Sequence, residues 1–240
     1  MSVYIHGGLR SPIGVLNGQY KHMRPEILGS QVIDEIINRY SISHIDGIFC
    51  GNAIGTGGNL GRLMGLMCNL PNSVPAITVD MQCASALMSI EIAYAHIVSG
   101  IMDSAIAGGI ESSSLQPERV YAFGDDREGA YKVAQFTPQD QSPLAMLEGA
   151  ERTIHKHNVT KEDLYPHIIG SHQRASAALD NPYLQSYIMP ITIDGKRCID
   201  ECIRPTMNEK LLSRMKPLLG ADSITNAGNS CLTHDGAAFV

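Results

Sequence analysis

Apolar positions recur in two rhythms through the first 110 residues of the chain. Short β-prone runs at Val3 to His6, Ile45 to Gly51, Ala76 to Asp80 and Asp103 to Ile110 alternate with segments spaced as helices, the pattern of βαβ units and a mainly parallel sheet. Pro25 to Tyr40 reads as a helix, with Ile27, Leu28, Val32, Ile36 and Ile37 on one stripe and Pro25 suited to the first turn. Leu60 to Asn69 predicts a second helix, stopped by Pro71 and Asn72. Ala84 to Ser99 predicts a third, with Leu87, Ile90, Tyr94 and Ile97 on one face and Gly100 as a C-cap. From Glu111 to about Ser223 prolines punctuate polar stretches, and two further helices are expected at Leu144 to His157 and Lys161 to Leu179. So long an excursion between strands is expected to form a subdomain over a functional face. The tail returns to a turn and a strand, Gly236 to Val240, which would complete the sheet begun at Val3.

With 240 residues, 44% hydrophobic and 18% charged, the chain can bury a sizeable core. A formal charge of -6 and the lack of any Lys/Arg run leave no electrostatic footprint for nucleic acid or an anionic membrane surface. No segment approaches the roughly 20 apolar residues of a membrane span, and Ser2 to Gln19 has neither the basic region nor the apolar stretch of a signal peptide. The six cysteines form no C-x-x-C pair and no ligand spacing with histidine, so no metal site is expected. Free thiols in a cytoplasmic protein are the simplest reading.

One cysteine stands apart. Ile77 to Leu87 places Cys83 where a buried strand turns into a helix of small residues, Ala84, Ser85 and Ala86. A helix N-terminus favours an anion, so a thiolate there is stabilised. The residues by themselves also allow a buried structural cysteine.

The run Asp80-Met81-Gln82-Cys83-Ala84-Ser85-Ala86-Leu87 resembles the active-site segment of thiolases, Asn/Asp-x-x-Cys-small-Ser-small-Leu. Ala107-Gly108-Gly109-Ile110-Glu111-Ser112 resembles their Ala-Gly-Gly-x-Glu-Ser strand end, and Gly61-Arg62 and Leu70-Pro71 to Val79 resemble the helix and strand before the cysteine. Met146 to Glu151 is similar to Met-Gly-x-x-Ala-Glu, with Leu147 in the place of Gly. Ser171-His172-Gln173-Arg174-Ala175, Asp200-Glu201-Cys202-Ile203-Arg204-Pro205 and Asn226 to Ala237 match later family segments in order, with Cys231 where serine is usual.

The resemblance implies an α/β fold, a thiolase-like αβα layered domain with a mixed, mainly parallel sheet and an inserted loop subdomain. Residues 1–112 plus 224–240 would form the N-terminal βαβ domain, and 113–223 an inserted loop domain for coenzyme A binding and oligomerisation. It implies an acyl-CoA acyltransferase in which Cys83 holds the acyl group during Claisen condensation or thiolysis. Coenzyme A and acyl-CoA enter as substrates, with no tightly bound cofactor expected. Arg204 matches an arginine near the adenine nucleotide, although an exposed ion-paired arginine is an equal reading. Ala227 and Cys231 match the pantetheine channel, and Met146 a residue beside the reactive cysteine, where core filling is an equal reading. The family's acid/base segments, Asn-Glu-Ala-Phe, Gly-His-Pro and Cys-x-Gly-Gly-Gly, belong to a C-terminal half and have no counterpart in this sequence. A complementary thiolase half or homo-oligomerisation is therefore expected to complete the molecule. Two alternatives stand beside the acyltransferase: a thiolase-fold module that binds coenzyme A without turnover, and a thioester hydrolase. His155, His157 and His172 read as solvated or structural, Cys198 and Cys202 as free thiols, and Gly55 to Asn59 as a strand-to-helix connection.

Overall fold

The computed structural model describes residues 2–55, 57–135, 137–138 and 142–240. The chain divides into two compact units, one of residues 1–116, 181–202 and 233–240, the other of residues 117–180 and 203–232.

The first unit is built on one mixed sheet. In chain order its elements are β1 (Leu9–Arg10), β2 (Gly14–Val15), α1 (Pro25–Arg39), β3 (Gly47–Gly51), α2 (Leu60–Met67), β4 (Ala76–Val79), α3 (Ser85–Val98) and β5 (Ala105–Ser112). The sheet runs β1-β10-β5-β3-β4, with β10 the chain's last strand, His234–Phe239, and β2 also paired to β10. β3 is parallel to β4 and β5, while β10 runs antiparallel to β5, β1 and β2.

Strand alternation sorts the side chains into two layers, because successive residues point to opposite faces. Ile48 and Cys50 of β3 and Ile106 and Ile110 of β5 join Leu28, Val32, Ile33 and Ile36 of α1 and Leu60 and Met64 of α2 in the main core. Phe49 and Ala107, from the alternate positions, pack with Ala93 of α3 on the other face. Pro25 opens α1, where its missing N–H costs nothing, and Asn59 caps α2 by accepting the Arg62 N–H at 3.0 Å.

The two helical layers differ in how they are covered. α1 buries a full apolar stripe. α3, apolar almost throughout, buries only Ser85, Ser89 and Ala93, one residue per turn. Leu87 and Tyr94 on α3 are 68% and 55% exposed, and Val98 and Ile101 are also open to solvent.

One expectation needs correcting. Val3 to His6 is not a strand: Tyr4 and Ile5 are exposed, and the first strand is the two-residue β1. Pairing decides this, since β1 is defined by the register Leu9 to Phe239 and Arg10 to Ala238. The Asp200-Glu201 pair fastens the segment that follows β1. Asp200 takes both ends of the Arg10 guanidinium, at 2.8 and 2.7 Å, and the Ile13 N–H at 2.7 Å. Glu201 accepts the Val15 and Gln19 N–H groups.

In the second unit lie the hairpin β6 (Arg119–Val120) with β7 (Ala130–Tyr131), then α4 (Ala145–Lys156) and α5 (Lys161–Leu179). α5 starts at a capping box: Thr160 Oγ1 accepts the Asp163 N–H and Asp163 accepts the Thr160 N–H at 2.8 Å. The chain then returns to the first unit for α6 (Pro182–Gln185) and the hairpin β8 (Thr192–Ile193) with β9 (Lys196–Arg197). It re-enters the second unit for α7 (Glu209–Leu212). Among the described residues no helix is long and apolar enough to cross a membrane.

Candidate active site

The six cysteines differ sharply in setting. Cys50, Cys68 and Cys198 are buried, Cys202 is half-buried, and Cys83 and Cys231 are exposed. Burial pushes the Cys50 and Cys68 thiols up to about 12, which keeps both protonated at neutral pH and unsuited to nucleophilic attack. Burial also raises Cys198, with Glu201 adding to the effect.

Cys83 stands in the turn between β4 and α3, two residues ahead of Ser85, the first residue of the helix. The turn is tight because Gln82 adopts a left-handed backbone, φ 53°, a conformation that costs a non-glycine residue about 1–2 kcal/mol. Side chains within the turn hold it. Ser85 Oγ donates to the Gln82 carbonyl at 2.6 Å and accepts the Met81 N–H at 2.8 Å, while Asp80 accepts the Gln82 N–H at 2.9 Å. Ala84 and Ser85 N–H groups return to the Met81 and Gln82 carbonyls. The result lifts Cys83 out of the sheet at the mouth of α3, with its residue exposed and Ser85 buried behind it.

The ends of the parallel strands make room for that helix. A Cβ on Gly51 would lie 2.4 Å from the Ala86 nitrogen, and one on Gly109 would lie 3.0 Å from Ala86 Cβ. Ser89, buried one turn further on, donates to the Gly108 carbonyl at 2.8 Å and accepts the Gly108 N–H at 2.9 Å, which locks α3 to β5. Glu111, at the end of β5, accepts the Ala53 and Ile54 N–H groups at 3.0 and 2.9 Å and the Asn52 side chain at 2.9 Å. It thereby ties down the start of the glycine-rich connection to α2. Within that connection, Thr56 lies outside the described residues.

The other four residues singled out in the sequence, Met146, Arg204, Ala227 and Cys231, belong to the second unit and are all exposed. Met146 is 77% exposed at the start of α4, so it is not core filler. The Arg204 N–H donates to His172 Nδ1 at 3.2 Å, so α5 carries the residue that seats the arginine's backbone. Ala227 rides on a loop organised by Glu151, which sits on the same helix as Met146. The Ile224 and Thr225 N–H groups donate to the Glu151 carboxylate at 2.8 and 3.0 Å, the Ser223 hydroxyl at 2.9 Å, and the Thr225 hydroxyl closely as well. Burial would push the Glu151 carboxyl up, but these donors outweigh it and hold it down at about 2. Asn226 and Asn229 finish the loop, each accepting a backbone N–H from within it.

Three elements of this arrangement escaped the sequence reading as functional positions: the left-handed Gln82, the Ser85 clasp and the Glu151 anchor. In the sequence Ser85 stands out only as a small residue beside Cys83, and Glu151 only within a family-like segment. Nothing in the local sequence marks Gln82 for positive φ, since glycine or asparagine is the usual occupant.

Comparison with known proteins shows the family and the fold. A family model described as the N-terminal domain of thiolase matches residues 3–240. A protein named as an acetyl-CoA C-acetyltransferase, VraB, from Staphylococcus epidermidis is 32% identical over 239 residues, covering 96% of this chain and 62% of its own length. Its Staphylococcus aureus counterpart matches at the same identity and coverage. Among solved structures, the Bacillus anthracis acetyl-CoA acetyltransferase superposes with a TM-score of 0.83 at 26% identity, covering 98% of this chain and 63% of that one. Human mitochondrial 3-ketoacyl-CoA thiolase, solved in complex with CoA, has the same fold, with a TM-score of 0.86 at 24% identity. The chain thus spans about 62% of the length of the relatives it matches. With the Cys83 segment, the glycine-lined seat of α3 and the ordered later segments all within the matched span, this chain belongs to the thiolase family, as its N-terminal domain.

Proposed function

We propose that this chain carries the acyl-transfer half of a thiolase-type reaction, with Cys83 as the acyl acceptor and acyl-CoA as the donor. The observation that carries the reading is the exposed cysteine on a tight strand-to-helix turn at the mouth of α3, in a chain of the thiolase family. The Cys83 thiolate attacks the thioester carbonyl, a carbon-sulfur bond forms to Cys83, and the bond to coenzyme A breaks. The departing coenzyme A thiolate takes up the proton that Cys83 gave up. In condensation, the C2 carbanion of an acetyl-CoA then attacks the acyl-cysteine, forming a carbon-carbon bond and returning the Cys83 thiolate. Thiolysis runs the same steps in reverse. The base that removes the C2 proton is expected from the Asn-Glu-Ala-Phe and Gly-His-Pro segments of a complementary half.

The second unit supplies the contacts to coenzyme A in this reading. Arg204 would meet the adenine nucleotide, where a guanidinium can stack on a base or pair with phosphate. Ala227 and Cys231 would line the pantetheine, and Met146 the acyl end. Coenzyme A comes and goes as substrate and is not held as a cofactor. The open apolar face of α3, with Leu87, Tyr94 and Val98, supports a further helical layer as partner, provided by a complementary half or by a second copy of the chain.

A second reading is a module that binds coenzyme A without turnover. Incubation with acetyl-CoA carrying a labelled acetyl group separates the two. Label on the chain that can be chased to free coenzyme A or to a second acyl unit supports acyl transfer. Saturable coenzyme A binding with no label on the chain supports the module, and release of labelled acetate indicates a hydrolase instead.

A further inference from the structure

We propose that Ser85 is a positioning residue for Cys83, holding the sulfur in place through the backbone of Gln82. The inference rests on the assignment of Cys83 as acyl acceptor. Gln82 immediately precedes Cys83 and is the pivot of the turn, yet its side chain disfavours the left-handed backbone it adopts, φ 53°. Something must hold that backbone, and the Ser85 hydroxyl contacts it on both sides. It donates to the Gln82 carbonyl at 2.6 Å and accepts the N–H of Met81, the residue before the pivot, at 2.8 Å. Ser85 is itself buried at the first position of α3, against the strand end at Gly51, where a Cβ would come within 2.5 Å of the Ser85 carbonyl carbon. The residue is 5% exposed, so its hydroxyl is satisfied within the turn and not by solvent. The hydroxyl reaches back to the turn, and the position of Cys83 is set through the backbone contacts that Ser85 makes to Met81 and Gln82.

An alanine at this position keeps the packing and removes only the clasp. The test is site-resolved alkylation by iodoacetamide on the full 240-residue chain, with the exposed Cys231 as internal reference and thermal melting measured in parallel. Ser85→Ala is expected to lower the ratio of Cys83 to Cys231 alkylation roughly three- to tenfold, the scale of one hydrogen bond. Ser85→Thr, which keeps the hydroxyl, is expected to hold the ratio near that of the unsubstituted chain. Adding Gln82→Gly to Ser85→Ala is expected to recover most of the loss, because glycine takes the left-handed backbone without the steric penalty. An unchanged ratio in Ser85→Ala overturns the proposal, whatever acetyl-CoA does to Cys83. So does a loss that follows the melting temperature and is recovered neither by Ser85→Thr nor by Gln82→Gly. Because the readout is alkylation, failure of acyl transfer would remove the Cys83 assignment without deciding the role of Ser85.

Discussion

Gly51 and Glu151 show how single residues fix the local geometry on which the proposed chemistry depends. Gly51 lets the first turn of α3 lie against the end of β3, and a methyl group there would meet the Ala86 nitrogen at 2.4 Å. Both partners are backbone, so neither can yield cheaply. Gly51→Ala is expected to cost at least the 1–3 kcal/mol of an overpacked core site, read by denaturant unfolding, and to slow Cys83 alkylation by shifting the helix mouth. Glu151 works by charge. Its carboxyl is held below the ordinary range, at about 2 against 4.5, so its ionised form is the one the folded loop prefers. That stabilisation is complete above pH 4.5 and is lost as pH falls through about 2. Glu151→Gln is expected to destabilise the second unit by roughly 2–3 kcal/mol at neutral pH, the scale of hydrogen bonds to a charged group. Melting curves between pH 5 and pH 2 should fall less steeply in the variant. Equal slopes would show that the loop around Ala227 does not depend on this carboxylate.

At the scale of elements, α1 and α3 make a natural experiment within one sheet. The two helices are similar in length, but amphipathic α1 buries Leu28, Val32, Ile33 and Ile36 while the more apolar α3 turns Leu87, Tyr94 and Val98 outward. Ile33→Ala is expected to cost about 2–5 kcal/mol, the usual cost of a cavity in a packed core. Leu87→Ser with Tyr94→Ser should change monomer stability by no more than about 0.5 kcal/mol and should reduce self-association in sedimentation. A large loss of stability would mean that these side chains already have a packed environment.

The helices were legible in the sequence for the same reason that they are stable: their burial follows from spacing within one segment. Pro25 opens α1 and α5 runs from Lys161 to Leu179 where the letters place them. Strand pairing is less local. Val3 to His6 has the composition of a strand, yet β1 forms at Leu9–Arg10 because β10 pairs there, more than two hundred residues away. The β8–β9 hairpin was missed despite a clear signal, Asp194-Gly195 at its tip, both left-handed with φ 49° and 75°. For the candidate site, the place of Cys83 just ahead of its helix could be read from the strand-to-helix pattern, whereas its choice as a nucleophile comes only from the resemblance to thiolases. The clasp behind it could not, since positive φ at a glutamine is imposed by surrounding contacts and not by the residue's own preference.

At the scale of the whole molecule, the chain belongs to the thiolase family and spans about 62% of its relatives' length. Within that span it holds the Cys83 segment, the seat of its helix and the later segments proposed to meet coenzyme A. Under the proposed function the labour divides: this chain would take up the acyl group, and carbon-carbon bond formation would draw on the base-bearing segments of a complementary half. Adding a separately expressed C-terminal thiolase half is expected to raise condensation activity from background only when Cys83 is intact, with Cys83→Ala giving none. The most direct test of the central claim is peptide mapping by mass spectrometry after brief exposure of this chain to acetyl-CoA. The account predicts a hydroxylamine-labile acetyl thioester on Cys83, with Cys231 unmodified. Acetylation confined to other residues, or none under conditions where coenzyme A binds, would contradict it.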